Sequence, residues 1–259
     1  MITFKDVTFS YGEKVILRNV SFHIDDNESA VIMGPSGSGK STILRLILGL
    51  NCPQAGQIMV NEGNLCVMSE RQKREVRKRI GMVFQDGALF DSLTVGENVG
   101  YYLFEHTSLS MTEIEKRVVE MLGYVGLNAG EIMDRLPEQL SGGMQRRVAI
   151  SRALLSTNPS IMLYDEPTTG LDPQSDEQVL NLINRLTRDS SISTIVVTHQ
   201  IADALSIADR FIVIYDGQVA FDGSFEGLRD SKDTRVRNFL APFESSFRLV
   251  AEKKFIRNG

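Results

Sequence analysis

The sequence predicts an α/β fold with a mainly parallel sheet core, an antiparallel β-subdomain and an α-helical subdomain. Three observations predict it. Residues 28–49 read as an apolar strand, a glycine-rich loop and an apolar helix. Residues 160–222 return to alternating strands and helices, the pattern of a parallel sheet. Residues 1 to about 24 alternate apolar and polar side chains (ITFKDVTFSY, VILRNVSFHI), the period of strands paired antiparallel.

The loop comes first because it carries the chemistry. Gly34, Pro35, Ser36, Gly37, Ser38, Gly39, Lys40 and Ser41 complete the pattern G-x-x-x-x-G-K-[ST], and Thr42 follows. Gly34, Gly37 and Gly39 let the backbone turn tightly and approach an anion closely. The N–H groups of such a loop, with the N-terminus of the helix that follows, attract phosphate. Lys40 is placed to reach the β- and γ-phosphates, and the Ser41 hydroxyl suits Mg²⁺. Ile43, Leu44, Leu46, Ile47 and Leu48 give the helix its apolar body, and Gly49 is its expected end. A glycine-rich turn without a ligand is the bland alternative. The strand before and the helix after it argue against that.

Residues 160–167 read SIMLYDEP, an apolar strand ending in two acids. Alternation along a strand would send Asp165 and Glu166 to opposite faces, so they take different jobs. Asp165 is expected in the Mg²⁺ shell and Glu166 as the base that polarises the attacking water, a role worth about 10²–10⁴-fold in rate. Residues from about 87 to 158 are helix-rich, with Met144, Val148, Ser151 and Leu155 near one helical face. Asp172-Pro173 opens a helix, with proline at an early position.

In this order the motifs resemble those of the nucleotide-binding subunit of an ATP-binding-cassette (ABC) transporter, a P-loop NTPase, over nearly the whole chain. The resemblance implies ATP as substrate, Mg²⁺ as cofactor and ATP hydrolysis as the activity. It implies that Tyr11 stacks on adenine and that residues 34–42 hold the phosphates. It implies that Gln85 in GMVFQ senses γ-phosphate and Mg²⁺, beside Ser41 and Asp165 as metal ligands. Leu140, Ser141, Gly142, Gly143, Met144 and Gln145 form the family signature, which acts on the nucleotide of a second copy in a head-to-tail dimer. Asp172 in TTGLDP belongs to the loop that crosses between subunits. Glu166, His199 and Lys40 are the catalytic set. Alone, Tyr11 reads as a packed aromatic, Gln85 as a solvated strand end and His199 as structural. Their order in the chain gives them meaning. Gln200 departs from the acid that many relatives carry there.

Composition agrees with a soluble globular chain. Hydrophobic residues make up 42% and charged residues 24% of 259. No uncharged apolar run reaches the roughly 20 residues that a bilayer span needs, and the N-terminus MITFKDVTF lacks a signal-peptide core. Cys52 and Cys66 have no metal-site spacing and are expected as free thiols in a reducing cytoplasm. The basic run from Arg71 to Arg79 carries interspersed acid and reads as a solvated helix. With a net charge of −5 it predicts no nucleic-acid partner.

The wording of residues 85–104, QDGALFDSLTVGENVGYYLF, narrows the resemblance to ATPases of MCE-type lipid transporters, the maintenance-of-lipid-asymmetry systems of Gram-negative envelopes and their chloroplast relatives. This implies phospholipid transport, an integral-membrane permease partner, an MCE-domain lipid-binding partner and a place on the cytoplasmic face of the inner membrane. Alternatives are the ATPase of an amino-acid or small-solute importer, and a soluble ABC ATPase of iron–sulfur cluster assembly. The expected layout is an ATPase domain over 1–240, with its helical subdomain at about 87–158, and a C-terminal extension over 241–259. From residue 235 on, six basic residues face two acidic ones, with Phe239, Phe243, Phe247 and Phe255 interleaved. The expectation is a dimer clasp that packs Phe239, Phe243 and Phe247 on the partner copy, with contact to anionic lipid as the alternative.

Overall fold

The computed structural model of the chain describes residues 1–61, 63–157, 159–189 and 192–243. The chain divides into two compact units, one formed by residues 1–76 together with the chain from 193 on, the other by residues 77–192.

In the first unit, β1 (Ile2–Tyr11), β2 (Lys14–Ile24), β3 (Ser29–Met33), α1 (Lys40–Ile47), β4 (Ala55–Val60), β5 (Gly63–Asn64) and α2 (Glu70–Arg77) come first. The second unit runs β6 (Ile80–Val83), α3 (Val95–His106), α4 (Met111–Tyr124), α5 (Ala129–Ile132), a 3₁₀ turn (Pro137–Gln139), α6 (Gly142–Thr157), β7 (Ile161–Asp165) and α7 (Pro173–Asp189). The chain then completes the first unit with β8 (Ser193–Thr198), α8 (Ile201–Ile207), β9 (Arg210–Tyr215), β10 (Gln218–Ser224), α9 (Phe225–Arg229), α10 (Thr234–Leu240) and a 3₁₀ turn (Ala241–Phe243). No helix among the described residues is long and apolar enough to cross a membrane.

The first unit holds two sheets. In the order β2-β1-β4-β5 every pair is antiparallel, as the alternation of residues 1–24 predicts. Ile2, Phe4, Val7 and Phe9 point inward, and Phe4 stacks on Phe22 with ring centroids 4.5 Å apart. In the other sheet β3 lies between β8 and β9, parallel to both, and β10 pairs antiparallel with β9. Val31, Ile32, Val196, Val197, Phe211 and Ile212 are fully buried, and each such side chain contributes about 1.5–3 kcal/mol. The entry of β3 is tied by Arg210. Its Nη1 donates to Glu28 at 2.9 Å and its Nε to Asp222 at 2.9 Å, so one guanidinium joins three successive sheet positions. Helix α2, which carries most of the basic run, buries no residue, and Lys73 pairs with Glu70.

In the second unit β6 and β7 pair parallel. Its helices are set by their caps. Thr94 with Glu97 and Ser110 with Glu113 form reciprocal capping boxes at the starts of α3 and α4. Asn98, fully buried, accepts from the Phe90 N–H at 2.8 Å and donates to the carbonyls of Phe90, Leu93 and Thr94 at 3.0 Å each. One amide thereby ties together the 90–94 turn.

Candidate functional site

The phosphate loop of the first unit is built from backbone. It follows β3 directly, and Gly34, Gly37 and Gly39 all have positive φ. A Cβ at Gly34 would sit 2.0 Å from the Ile214 carbonyl oxygen, and one at Gly39 would sit 2.6 Å from Leu17 Cδ2. Glycine is thus required twice over, by conformation and by space. Gly39 (φ 105) caps α1, which starts at Lys40. The helix ends at Gly49 (φ 63), where the Gly49 N–H donates to Leu46 and the Leu50 N–H to Arg45, the paired contacts that close a helix on a left-handed residue.

Lys40 is buried, and its Nζ donates to the carbonyls of Gly34 at 2.9 Å and Pro35 at 3.0 Å. The amine is folded back onto the loop's own carbonyls. The Ser38 hydroxyl is buried without a hydrogen-bond partner, while Ser36 and Gly37 are exposed. A buried hydroxyl lacking a partner, in a glycine-rich loop at a helix N-terminus, fits a phosphate oxygen. Ser41 is half-buried and Thr42 buried on the first turn of α1. Tyr11 ends β1, 42% exposed, edge-on to Phe9 and accepting from Arg45 Nη1 at 3.4 Å. Its open face leaves room for a flat ring.

His199 stands just past the end of β8, half-buried, and the Gln200 N–H donates to Thr198 Oγ1 at 3.0 Å as the chain turns into α8. A cavity of about 280 Å³ joins His199 to the phosphate loop. Pro35, Ser36, His199 and Tyr215 line one side, and Asn238 and Phe239 of α10 line another.

The tail expectation changes here. Phe239 is 8% exposed, packed in its own chain, with the Phe243 ring centroid 6.4 Å away. A partner copy cannot use Phe239 as an anchor while this chain's own sheet covers it. The reason is local: Asp233 caps α10 through the Arg235 N–H at 2.8 Å, and the short helix lays Val236 and Phe239 inward. Phe247 and Phe255, and the rest of the clasp expectation from 244 on, lie outside the described residues.

The second unit presents the other motifs. Gln85 follows β6 and is exposed. It lies in a turn containing Gly87 (φ 72) and Ala88 (φ 48). Asp165 ends β7, half-buried. Glu166 has left the strand. Its φ is 48°, it is 8% exposed, and Thr169 Oγ1 donates to its Oε2 at 3.1 Å. Strand alternation therefore does not separate the two acids. A left-handed, non-glycine residue does, a conformation that costs energy and persists where the surroundings enforce it.

In the signature, Leu140 is buried and Ser141 and Gly142 are exposed at the start of α6. Ser141 Oγ accepts from the Met144 N–H at 3.3 Å, and Gln145 Nε2 donates to the carbonyls of Pro137 at 2.8 Å and Leu140 at 3.3 Å. The signature glutamine thus holds the turn that enters its own helix. Gly143 is buried, and a Cβ there would lie 2.5 Å from Ser175 Cβ, so glycine lets α6 pass close to α7. Asp172 is exposed and caps α7, accepting from the N–H groups of Gln174 at 3.1 Å and Ser175 at 3.0 Å. Bonds from Ser175 hold its carboxyl below the usual range.

Two residues escape the motif reading. Arg146 Nη1 donates to the Phe84 carbonyl at 2.5 Å, and Arg152 donates to Ala88 at 2.8 Å and Gly87 at 3.0 Å while lying 5.6 Å over the Phe90 ring. Burial pushes both guanidinium groups down from their ordinary value. They clamp the turn that carries Gln85. The signal was the arginines set beside Val148, Ala149, Ile150, Ala153 and Leu154 of α6, but nothing in the sequence names the carbonyls.

A family model described as ABC transporter matches residues 17–169. The chain is 41% identical, over 93% of its length and 90% of the relative's, to the intermembrane phospholipid transport system ATP-binding protein MlaF of Haemophilus influenzae. It is 38% identical over 92% of its length to a methionine import ATP-binding protein, MetN, of Rhodopseudomonas palustris, but spans only 63% of that protein. Among solved structures, the dimeric ATP-binding cassette MJ0796, in a post-hydrolysis state with ADP and Pi, matches with a TM-score of 0.79 at 37% identity, over 86% of this chain and 98% of that one.

Proposed function

We propose that this chain, which belongs to the ABC transporter ATPase family, is the ATP-hydrolysing subunit of a phospholipid transporter, working through an integral-membrane permease at the cytoplasmic face of an inner membrane. The observation that carries the lipid reading is the 41% identity, over 93% of the chain, to the phospholipid-transport ATPase of Haemophilus influenzae, against 38% over 92% for the methionine importer. An MCE-domain protein is the further partner that this reading brings with it.

ATP hydrolysis is the activity of the family. In our reading Tyr11 offers its open ring to adenine, and Gly34, Pro35, Ser36, Gly37, Ser38, Gly39 and Thr42 give the phosphates their N–H and hydroxyl contacts. Lys40 exchanges its two loop carbonyls for phosphate oxygens. A bound Mg²⁺ would neutralise phosphate charge. The hydroxyl of Ser41, the amide oxygen of Gln85 and the carboxylate of Asp165 are donors of the hard-oxygen type it prefers. Glu166, constrained in its left-handed turn, accepts the proton of the attacking water, and His199 stabilises charge developing on the γ-phosphate. The remaining barrier falls through positioning and fixed charge, as in phosphoryl transfer generally. Leu140, Ser141, Gly142, Gly143, Met144 and Gln145 complete the site of a second copy in a head-to-tail dimer, with Asp172 on the crossing loop.

Two experiments test this. Reconstituted with its permease, the chain should drive ATP-dependent movement of labelled phospholipid between vesicles; amino-acid uptake without lipid movement would reject the lipid reading. Cysteines placed near the phosphate loop and near Ser141, in a background lacking Cys52 and Cys66, should give an ATP-dependent product between chains. Product only within one chain would reject the dimer.

A further inference from the structure

We propose that Thr169 is a positioning residue for ATP hydrolysis, its hydroxyl aiming the Glu166 carboxylate, an assignment that rests on Glu166 being the base that activates water. Glu166 is the first residue after β7 and holds φ at 48°, a left-handed conformation uncommon for any residue but glycine. Such a conformation persists only where its neighbours enforce it. Thr169 supplies two contacts to it, both from three residues along the chain. The Thr169 N–H donates to the Glu166 carbonyl at 3.3 Å and closes the turn. The Thr169 Oγ1 donates to Glu166 Oε2 at 3.1 Å. One residue thereby grips both the backbone and the side-chain end of the acid. A second turn follows at once, in which the Leu171 N–H donates to the Thr168 carbonyl at 3.1 Å and leads the chain to Asp172.

The surroundings make the side-chain contact matter. Glu166 is buried, Thr169 is half-buried and Gly170 is exposed. A carboxylate withdrawn from water needs donors, and a hydroxyl is a donor that carries no charge of its own. A lysine or arginine in its place would favour the ionised form and weaken the base. A carboxylate has about four acceptor positions, so one hydroxyl orients it without using it up. Threonine suits this better than serine, because branching at Cβ restricts χ1 and so restricts where the hydroxyl sits. A base must come within hydrogen-bond reach of the proton it takes, and a carboxylate that swings between rotamers spends part of its time out of line.

The test uses the full chain and reads the chemical step apart from binding. Thr169→Val keeps the branched shape and the N–H contact and removes only the hydroxyl. With enzyme in excess over radiolabelled ATP and Mg²⁺, the single-turnover rate should fall by roughly tenfold, the worth of one hydrogen bond to a charged group. ATP affinity, measured by equilibrium binding without Mg²⁺, should stay unchanged, and the melting temperature should stay near native. Thr169→Ala is a second removal of the hydroxyl and should show the same split. Thr169→Ser should recover most of the rate. In a Glu166→Gln background, Thr169→Val should cost nothing further, since the hydroxyl acts through the carboxylate. A native single-turnover rate without the hydroxyl would overturn the proposal. So would a loss that serine does not recover, or one that comes with equally weakened ATP binding and a lower melting temperature, the mark of a turn that only holds the fold. Native turnover in Glu166→Gln alone would remove the base and this proposal with it. A dead Glu166→Gln beside a native Thr169→Val would remove the proposal only.

Discussion

The phosphate loop of the first unit and the signature turn of the second are both glycine-rich starts of helices, yet they are held in opposite ways. The loop is enclosed. Ser38, Lys40 and Thr42 are buried, Lys40 is bonded to the loop's own carbonyls, and Gly34 abuts a neighbouring strand backbone. The signature turn is open. Ser141 and Gly142 are exposed, and their support comes from behind, from Gln145 and the contact of Gly143 with Ser175. A loop that must wrap an anion uses its glycines for shape, so fold and function cannot be separated there. A turn that presents N–H groups outward can lose function and keep its fold.

The strongest way to break that comparison is to add a methyl group to each. Gly34→Ala puts a Cβ against a backbone oxygen at a positive φ, which nothing nearby can relieve. We expect little soluble, folded protein, read by circular dichroism and expression yield. Gly142→Ala meets only the mobile end of Leu171, 3.1 Å away. We expect a native melting temperature with ATP binding retained and turnover lost. Equal damage to stability from both substitutions would erase the distinction.

Glu166→Gln comes next. It keeps shape and the contact from Thr169 but removes the base, so turnover should fall at least roughly 10²-fold with ATP binding intact. Near-normal steady-state hydrolysis would remove Glu166 from the mechanism.

A smaller effect sharpens the view that the second unit is supported from behind. Arg152→Ala takes donors from Gly87 and Ala88 and removes the stack on Phe90. Loss of hydrogen bonds from a charged group, here one exposed and one part-buried, costs about 1–3 kcal/mol, measurable as a lower denaturant midpoint. An unchanged midpoint would show that the turn around Gln85 holds itself.

The smallest effect concerns Asp172. Its carboxyl has a folded pKa below the unfolded value, because it accepts bonds from Ser175. The stability it lends is therefore complete above the unfolded carboxylate pKa and is lost as pH falls through the depressed folded one. Asp172→Ala should lower the melting temperature slightly at neutral pH and not at strongly acidic pH. A difference that persisted in acid would mean the residue does not act as an ionised cap.

Local chemistry alone determined much of this. The spaced glycines Gly34, Gly37 and Gly39 before Lys40 form a tight loop, an apolar run ending at Asp165 makes a strand, and Asp172-Pro173 opens a helix at the observed residue. Alternation over residues 1–24 gave an antiparallel pair, because the side-chain period of a strand is two wherever one face is buried. What tertiary structure decided depends on neighbours distant in the chain. The left-handed turn at Glu166 overrode strand alternation, Arg146 and Arg152 found carbonyls more than sixty residues away, and Phe239 turned inward on its own sheet instead of waiting for a partner. The physical reason is the same in each case. Backbone preference is set within a few residues, whereas the partner of a buried polar or aromatic group is chosen by whatever the packed chain brings within reach.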